Sequence, residues 1–228
     1  MDNRNGSEEK DRGKTENFFT KCRPGGDRII EKTRGGGGER SVLFWNMAGL
    51  RDKDKDFWEY VYDFDYIGLV ETWMEERAWK TFKRKLWKRY IWKHQSAKRE
   101  WKKGRAKDGI LTGVRRDCEM EGKMEEEEGV IGRWLRIDGE KWKVWAVYNN
   151  EGMAKMARKL RRVIEEEETE KTIIGGDFNA RTGEEGYIYA EETMKERKGK
   201  YRERKSKNNV KNAEGNFLLS LTENRDGI

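Results

Sequence analysis

Thr172-Ile173-Ile174-Gly175-Gly176-Asp177-Phe178-Asn179-Ala180 passes from β-branched apolar residues straight into two glycines, a carboxylate and an amide. An apolar run this short reads as a buried strand, so the polar residues behind it stand at a strand end. Two glycines before Asp177 suit a tight turn, with no bulky neighbour to block the approach of a phosphate. Upstream, Val42-Leu43-Phe44-Trp45 is another such run and leads into Asn46-Met47-Ala48-Gly49-Leu50. Tyr66-Ile67-Gly68-Leu69-Val70 is a third, ending in Glu71-Thr72-Trp73. Asn46, Glu71, Asp177 and Asn179 therefore all fall where strands give way to loops, the edge at which open sheets place their ligand sites.

The segments between alternate in kind. Phe57, Val61 and Phe64 recur at helical spacing, and Trp79, Phe82 and Leu86 mark a second helix. Residues 90–94, 109–114, 130–137 and 141–148 read as strands, with Asp138-Gly139 as a hairpin turn between the last two. Met153, Met156, Leu160, Val163 and Ile164 form one helix face, followed by the acidic run from Glu165 to Glu168. Phe217, Leu218 and Leu221 mark a last helix, and residues 183–212 read as a charged, mobile loop. Residues 1–40 are polar, end in Gly35 to Gly38 and read as a disordered tail; the domain is expected over 41–228.

The chain has 228 residues, which fits one α/β domain and a tail. Its 42% of charged residues would suggest disorder if the apolar ones were scattered, but all ten Trp lie between Trp45 and Trp145. Fifty-one basic against 44 acidic residues give +7, which favours a polyanionic partner. Cys22 and Cys118 make no CxxC or Cys/His cluster, so neither a disulfide framework nor a structural zinc site is supported. No signal-peptide core and no apolar run near 18 residues is present, so the expectation is an intracellular chain, neither secreted nor membrane-bound.

The four strand-end residues suit phosphodiester hydrolysis. Mg²⁺ takes oxygen ligands and is usually held by one or two carboxylates with waters and substrate phosphate; Glu71 helped by Asn46 is such a holder. Hydrolysis also needs a group to orient a water and donors aimed at the phosphoryl oxygens, which Asp177 and Asn179 supply. Each residue alone has a plainer reading as a turn or helix cap.

Asn46-Met47-Ala48-Gly49-Leu50, Val70-Glu71-Thr72-Trp73, Val147-Tyr148-Asn149-Asn150 and Gly175-Gly176-Asp177-Phe178-Asn179-Ala180 resemble, in order, the motifs of the endonuclease/exonuclease/phosphatase superfamily. The likeness extends to the apurinic-endonuclease-like domains of insect non-LTR retrotransposons, which have stretches similar to Gly104-Arg105-Ala106-Lys107 and Arg181-Thr182-Gly183. The resemblance implies a four-layered α/β sandwich of two packed sheets flanked by helices. It also implies Mg²⁺ (or Mn²⁺) as cofactor, Glu71 as metal ligand and Asn46 as an aid to metal and phosphate positioning. Tyr148 would touch the scissile phosphate, Asp177 would align the attacking water, and Asn179 would steady the phosphoryl oxygens. DNA would be the substrate, in the nucleus, with a reverse transcriptase as possible companion in the parent element.

Such domains close with a strand and a Ser-Asp-His motif, and neither stands before Ile228, so the sequence reads as a domain truncated at its C-terminus, inactive or weakly active. The only histidine, His94, lies far from that motif's place and reads as a strand-edge or surface residue. Asp108 stands beside Gly109 where relatives have a second glycine, which would strain a tight turn.

Two stretches are rich in cations. Residues 80–93 hold seven basic and no acidic side chains among Phe82, Trp87, Tyr90 and Trp92; of these, residues 80–89 read mainly as a solvated helix face, because Trp79, Phe82 and Leu86 fit one buried stripe. Residues 98–107 hold six basic residues around Trp101 with no apolar period, and read as a nucleic-acid-binding loop carrying Lys102, Lys103, Arg105 and Lys107. Three functions stay open: a DNA-nicking endonuclease domain, a non-catalytic nucleic-acid-binding remnant, and a phosphatase of phospholipids or inositol phosphates. The absent closing motif favours the second, and the basic loop speaks against the third.

Overall fold

Apolar side chains alternate along the strands, and the alternation decides what each face meets. In β2 (Val42–Asn46) Val42 and Phe44 join one buried cluster while Leu43 joins another. The computed structural model describes residues 17–21, 40–99, 104–118, 125–137, 139–165, 171–183 and 209–223. Among these, β2 pairs in parallel with β3 (Tyr66–Val70), which pairs antiparallel with β5 (Ile110–Arg115), and that with β4 (Tyr90–Gln95).

A second sheet has β9 (Lys171–Asp177) between two parallel neighbours, β1 (Asn17–Lys21) and β8 (Glu140–Tyr148). Antiparallel β7 (Val130–Ile137) and β6 (Glu125–Glu127) complete it, in the order β1-β9-β8-β7-β6. The two sheets pack face to face over Val42, Phe44, Tyr66, Val70, Ile131, Val144 and Ile173. Each such side chain taken from water contributes roughly 1.5–3 kcal/mol before the cost of ordering it.

Helices close both outer faces. α1 (Lys55–Val61) starts at Asp54, whose carboxylate accepts from Phe57 N–H at 2.8 Å, and with α2 (Glu76–Phe82) it covers Leu43, Ile67, Leu69 and Leu111. α3 (Met153–Glu165) and α4 (Ala213–Glu223) cover Val130, Trp145, Val147 and Ile174 with Met153, Met156, Leu160 and Leu218. The layering is helix, sheet, sheet, helix, the four-layered α/β sandwich expected. Among the described residues no helix is long and apolar enough to cross a membrane.

Several local expectations change. Asn17–Lys21 forms a strand inside the stretch read as a tail, since β9 offers it a parallel edge. The triplet Glu125–Glu127, which has no strand pattern, pairs with β7 because cations receive it: Lys143, Lys93 and Arg162 meet the three carboxylates in turn. Phe217 is 37% exposed while Leu218 is buried, because successive helix residues point about 100° apart and cannot share a face. Asp138 and most of the loop expected over 183–212 lie outside the described residues.

Candidate active site

Parallel pairing of β2 with β3, and of β8 with β9, brings four strand ends to one edge of the sandwich. There the sheets are joined by side chains. Asn46 Nδ2 donates to Asp177 Oδ2 at 2.7 Å, and the Tyr148 hydroxyl donates to Glu71 Oε1 at 3.0 Å. Both bonds run from one sheet to the other. Asp177 is buried, and its second oxygen accepts from Asn179 N–H at 2.9 Å. Asn46 Oδ1 accepts from Ala48 N–H at 3.1 Å, which fixes the amide so that its Nδ2 faces Asp177. The four residues singled out at strand ends, with Tyr148, thus form one constellation.

Gly175 and Gly176 do not make a turn. Both continue β9 up to Asp177, and their role is close approach. A Cβ on Gly175 would lie 2.3 Å from the Phe44 ring, and one on Gly176, at φ +141°, would lie 1.9 Å from the Val147 carbonyl oxygen. Without side chains there, β9 sits tight on β8 and on the facing sheet, and Asp177 is delivered against Asn46.

The loops at this edge hold backbone strain. Ala48, Glu71, Trp73, Asp108 and Asn179 all have positive φ without being glycine, between 44° and 67°. Non-glycine residues in the left-handed region cost energy and gather at functional sites. Asp108 at φ +67° beside Gly109 at φ +90° bears out the strain expected of that dipeptide.

Burial, and then the nearby charge of Glu71 and its hydrogen bond, push the Tyr148 phenol well above its usual range, so it remains a proton donor. Asp108 is also pushed up, by burial first and then, after the opposing hydrogen bond from Asn150, by the charges of Glu128 and Glu71. Beside Tyr148 a cleft of about 350 Å³ opens, lined by Asp108, Asn150, Gln95, Lys98 and the carboxylates Glu126 to Glu128. Among the described residues no three Asp, Glu, His or Cys side chains converge as a metal cage. Glu71, Asn46 and Asp177 are hard oxygen donors, and so sparse a set fits Mg²⁺ better than a softer metal.

No known family's sequence model matches the chain, and no curated protein matches it. Among solved structures, D. rerio TDP2 complexed with a single-strand DNA product superposes with a TM-score of 0.42 at 17% identity, over 61% of this chain and 60% of that one. Truncated Caenorhabditis elegans TDP2 gives 0.42 at 18% identity, over 61% and 62%. The human Nocturnin catalytic domain gives 0.41 at 14%, over 61% and 64%. The chain thus spans less than two thirds of each of these structures, and at such TM-scores the layering and the site rest on this chain's own geometry.

Asn149, given no role from the sequence, ties the site together. Its backbone N–H donates to Asp177 O at 2.8 Å, its Nδ2 donates to Phe178 O at 2.9 Å, and its carbonyl accepts from Asn179 Nδ2 at 2.6 Å. The one local signal was an Asn-Asn pair at a strand end. Arg105 lies over the Trp73 ring, its Cζ 3.7 Å from the centroid, beside the Glu71 loop. Lys107 bridges to Lys98 through the backbone, while Lys102, Lys103 and Trp101 lie outside the described residues. His94 is half-buried, stacked on Trp79 at 4.7 Å, with Nε2 3.1 Å from Met74 O; this is the strand residue expected and no part of the constellation. Trp79, Phe82 and Leu86 pack on the core as expected, but α2 ends at Phe82, so of the exposed cations in the 80–93 stretch only Lys80 lies on that helix; Lys83, Arg84 and Lys85 form a single 3-10 turn and Lys88 and Arg89 the turn before β4.

Proposed function

We propose that this chain is a metal-dependent phosphodiesterase acting on DNA, a nicking endonuclease of the endonuclease/exonuclease/phosphatase type carried by non-LTR retrotransposons. The observation that carries the reading is the pair of bridges between the sheets, Asn46 to Asp177 and Tyr148 to Glu71, made by the residues that the motif likeness singles out.

A bound Mg²⁺ or Mn²⁺ supplies Lewis acidity at a phosphoryl oxygen. Glu71 holds it, with Asn46 as an oxygen donor in reach of the same edge. Tyr148, kept protonated, holds the Glu71 carboxylate through its one hydroxyl proton and stands at the edge where the scissile phosphate would bind. Asp177, held by Asn46 and by Asn179 N–H, aligns the attacking water and takes up its proton. Asn179, exposed and anchored to Asn149, donates toward the phosphoryl oxygens as charge builds there. Arg105, Lys107, Lys102 and Lys103 hold flanking phosphates.

Titration calorimetry with Mn²⁺ tests the metal assignment. Glu71→Gln should weaken binding at least tenfold while the thermal midpoint stays near that of the parent. Equal affinity in two folded proteins would remove Glu71 from the metal site.

A second reading, a nucleic-acid-binding remnant without hydrolysis, is favoured by the absence of a His or third carboxylate beside Asp177 among the described residues. It keeps the basic surface and gives up the chemistry.

A further inference from the structure

We propose that the outward face of α3 is a second contact surface for the phosphate backbone of duplex DNA, continuous with the active-site edge. The inference rests on the phosphodiesterase reading only for the location of the scissile phosphate; the surface itself stands on charge and shape.

Met153, Met156, Ala157 and Leu160 are buried and fix which side of α3 meets the sheet. The opposite side carries Lys155, Arg158, Arg161 and Arg162, all exposed, with Lys159 at its border. From Met153 to Ile164 the helix has five basic residues and no acidic one. These five side chains line a shallow groove of about 610 Å³ whose only acidic member is Glu151.

Internal partners account for part of this charge. Lys159 pairs with Glu151 at 2.9 Å, and Arg162 with Glu127 at 2.9 Å. Lys155 and Arg161 make no ion pair among the described residues, and Arg158 reaches only the Ala154 carbonyl of its own helix, at 3.3 Å. Lys155 and Arg158, and Arg158 and Arg161, are three residues apart, so like charges stand as neighbours on one face, an arrangement that weakens a helix unless an external anion receives it. The one carboxylate at the start of the helix comes from α4, where Glu214 Oε2 accepts from Met153 N–H, and among the described residues it pairs with none of the outward cations.

Position selects the anion. α3 follows Tyr148-Asn149-Asn150 directly, so its N-terminal end lies beside the site, and its thirteen residues run back along the outer face of the sheet toward the start of β9. At 1.5 Å per residue the helix is about 20 Å long, close to six steps of a DNA strand. A backbone with one phosphate at Asp177 can therefore lay its flanking phosphates along this face. Duplex DNA offers regularly spaced charge over that length, which a small anion does not.

The test is fluorescence anisotropy of a labelled duplex titrated with the full chain in EDTA at several salt concentrations. Lys155→Gln/Arg158→Gln/Arg161→Gln changes only exposed side chains outside the catalytic constellation. Loss of three phosphate contacts should flatten the slope of log affinity against log salt by about 2 to 3. Arg158→Lys/Arg161→Lys, which keeps the charge, should retain the parent slope. Without metal no cutting occurs, so a chain that never hydrolyses DNA still returns its slope and the two readings fail separately. An unchanged slope in the triple variant, or lost binding to poly-glutamate with duplex binding intact, would overturn the proposal, the latter in favour of an acidic polypeptide.

Discussion

Gly176→Ala places a methyl group where the structure has a backbone. The new Cβ would lie 1.9 Å from Val147 O, 2.8 Å from Val147 C and 2.9 Å from Val147 N, and none of these atoms can swing aside like a side-chain end. β8 and β9 would have to part by more than an ångström just before the Tyr148–Asp177 pair. Losing two or three ladder bonds at about 1 kcal/mol each, with roughly 1–3 kcal/mol for a φ of the left-handed half, gives a destabilisation of about 3–6 kcal/mol. Gly175→Ala meets a side chain instead, the Phe44 ring at 2.3 Å, and should cost about 1–3 kcal/mol as the ring repacks. Urea unfolding followed by Trp fluorescence measures both. A Gly176→Ala chain within about 1 kcal/mol of the parent at equal m-value, or one more stable than Gly175→Ala, would refute the close-approach account.

Asp108→Gly should stabilise the fold by about 1 kcal/mol, since glycine adopts φ +67° without strain. Because the folded-state pKa of Asp108 is raised, its contribution is full below the ordinary carboxylate range and is lost as pH rises, so the variant's advantage in urea midpoint should grow from pH 4 to 7; a constant advantage would contradict this. His94 is the only histidine, so its ring protons can be followed by NMR without assignment, and burial should set its midpoint below 6.5. The stability it contributes is present above 6.5 and lost as pH falls through the depressed value; a midpoint at or above 6.5 would show that the ring is not shielded beneath Trp79.

What the sequence disclosed followed from local pattern. Val42–Trp45, Tyr66–Val70 and Thr172–Ile174 are apolar runs bounded by polar residues, so their ends, and with them Asn46, Glu71 and Asp177, were legible one by one. That these ends converge was not written locally, because it depends on strand order and on which pairs are parallel. Glu125–Glu127 escaped for a related reason: its partners Lys143, Lys93 and Arg162 are remote in sequence. Gly175-Gly176 read as a turn in sequence but serve close approach, since a glycine needed for one looks the same as a glycine needed for the other. Asn149 was hidden because its part is to brace Phe178 and Asn179 through main-chain atoms, which any neighbour pattern leaves silent.

If the constellation joined by Asn46, Asp177, Tyr148 and Glu71 cuts phosphodiesters with a bound metal, as proposed, nicking of a plasmid should depend on both the metal and these residues. Conversion of supercoiled plasmid to the nicked circle, in Mg²⁺ and in EDTA, compares the parent with Asp177→Ala at matched thermal midpoints. The parent should nick in Mg²⁺ and not in EDTA, and Asp177→Ala should be slower by about 10²-fold or more, the usual scale for removing a group that handles the transferred proton. A folded parent that binds duplex and nicks no faster than Asp177→Ala would contradict the proposal and leave the chain a nucleic-acid-binding protein.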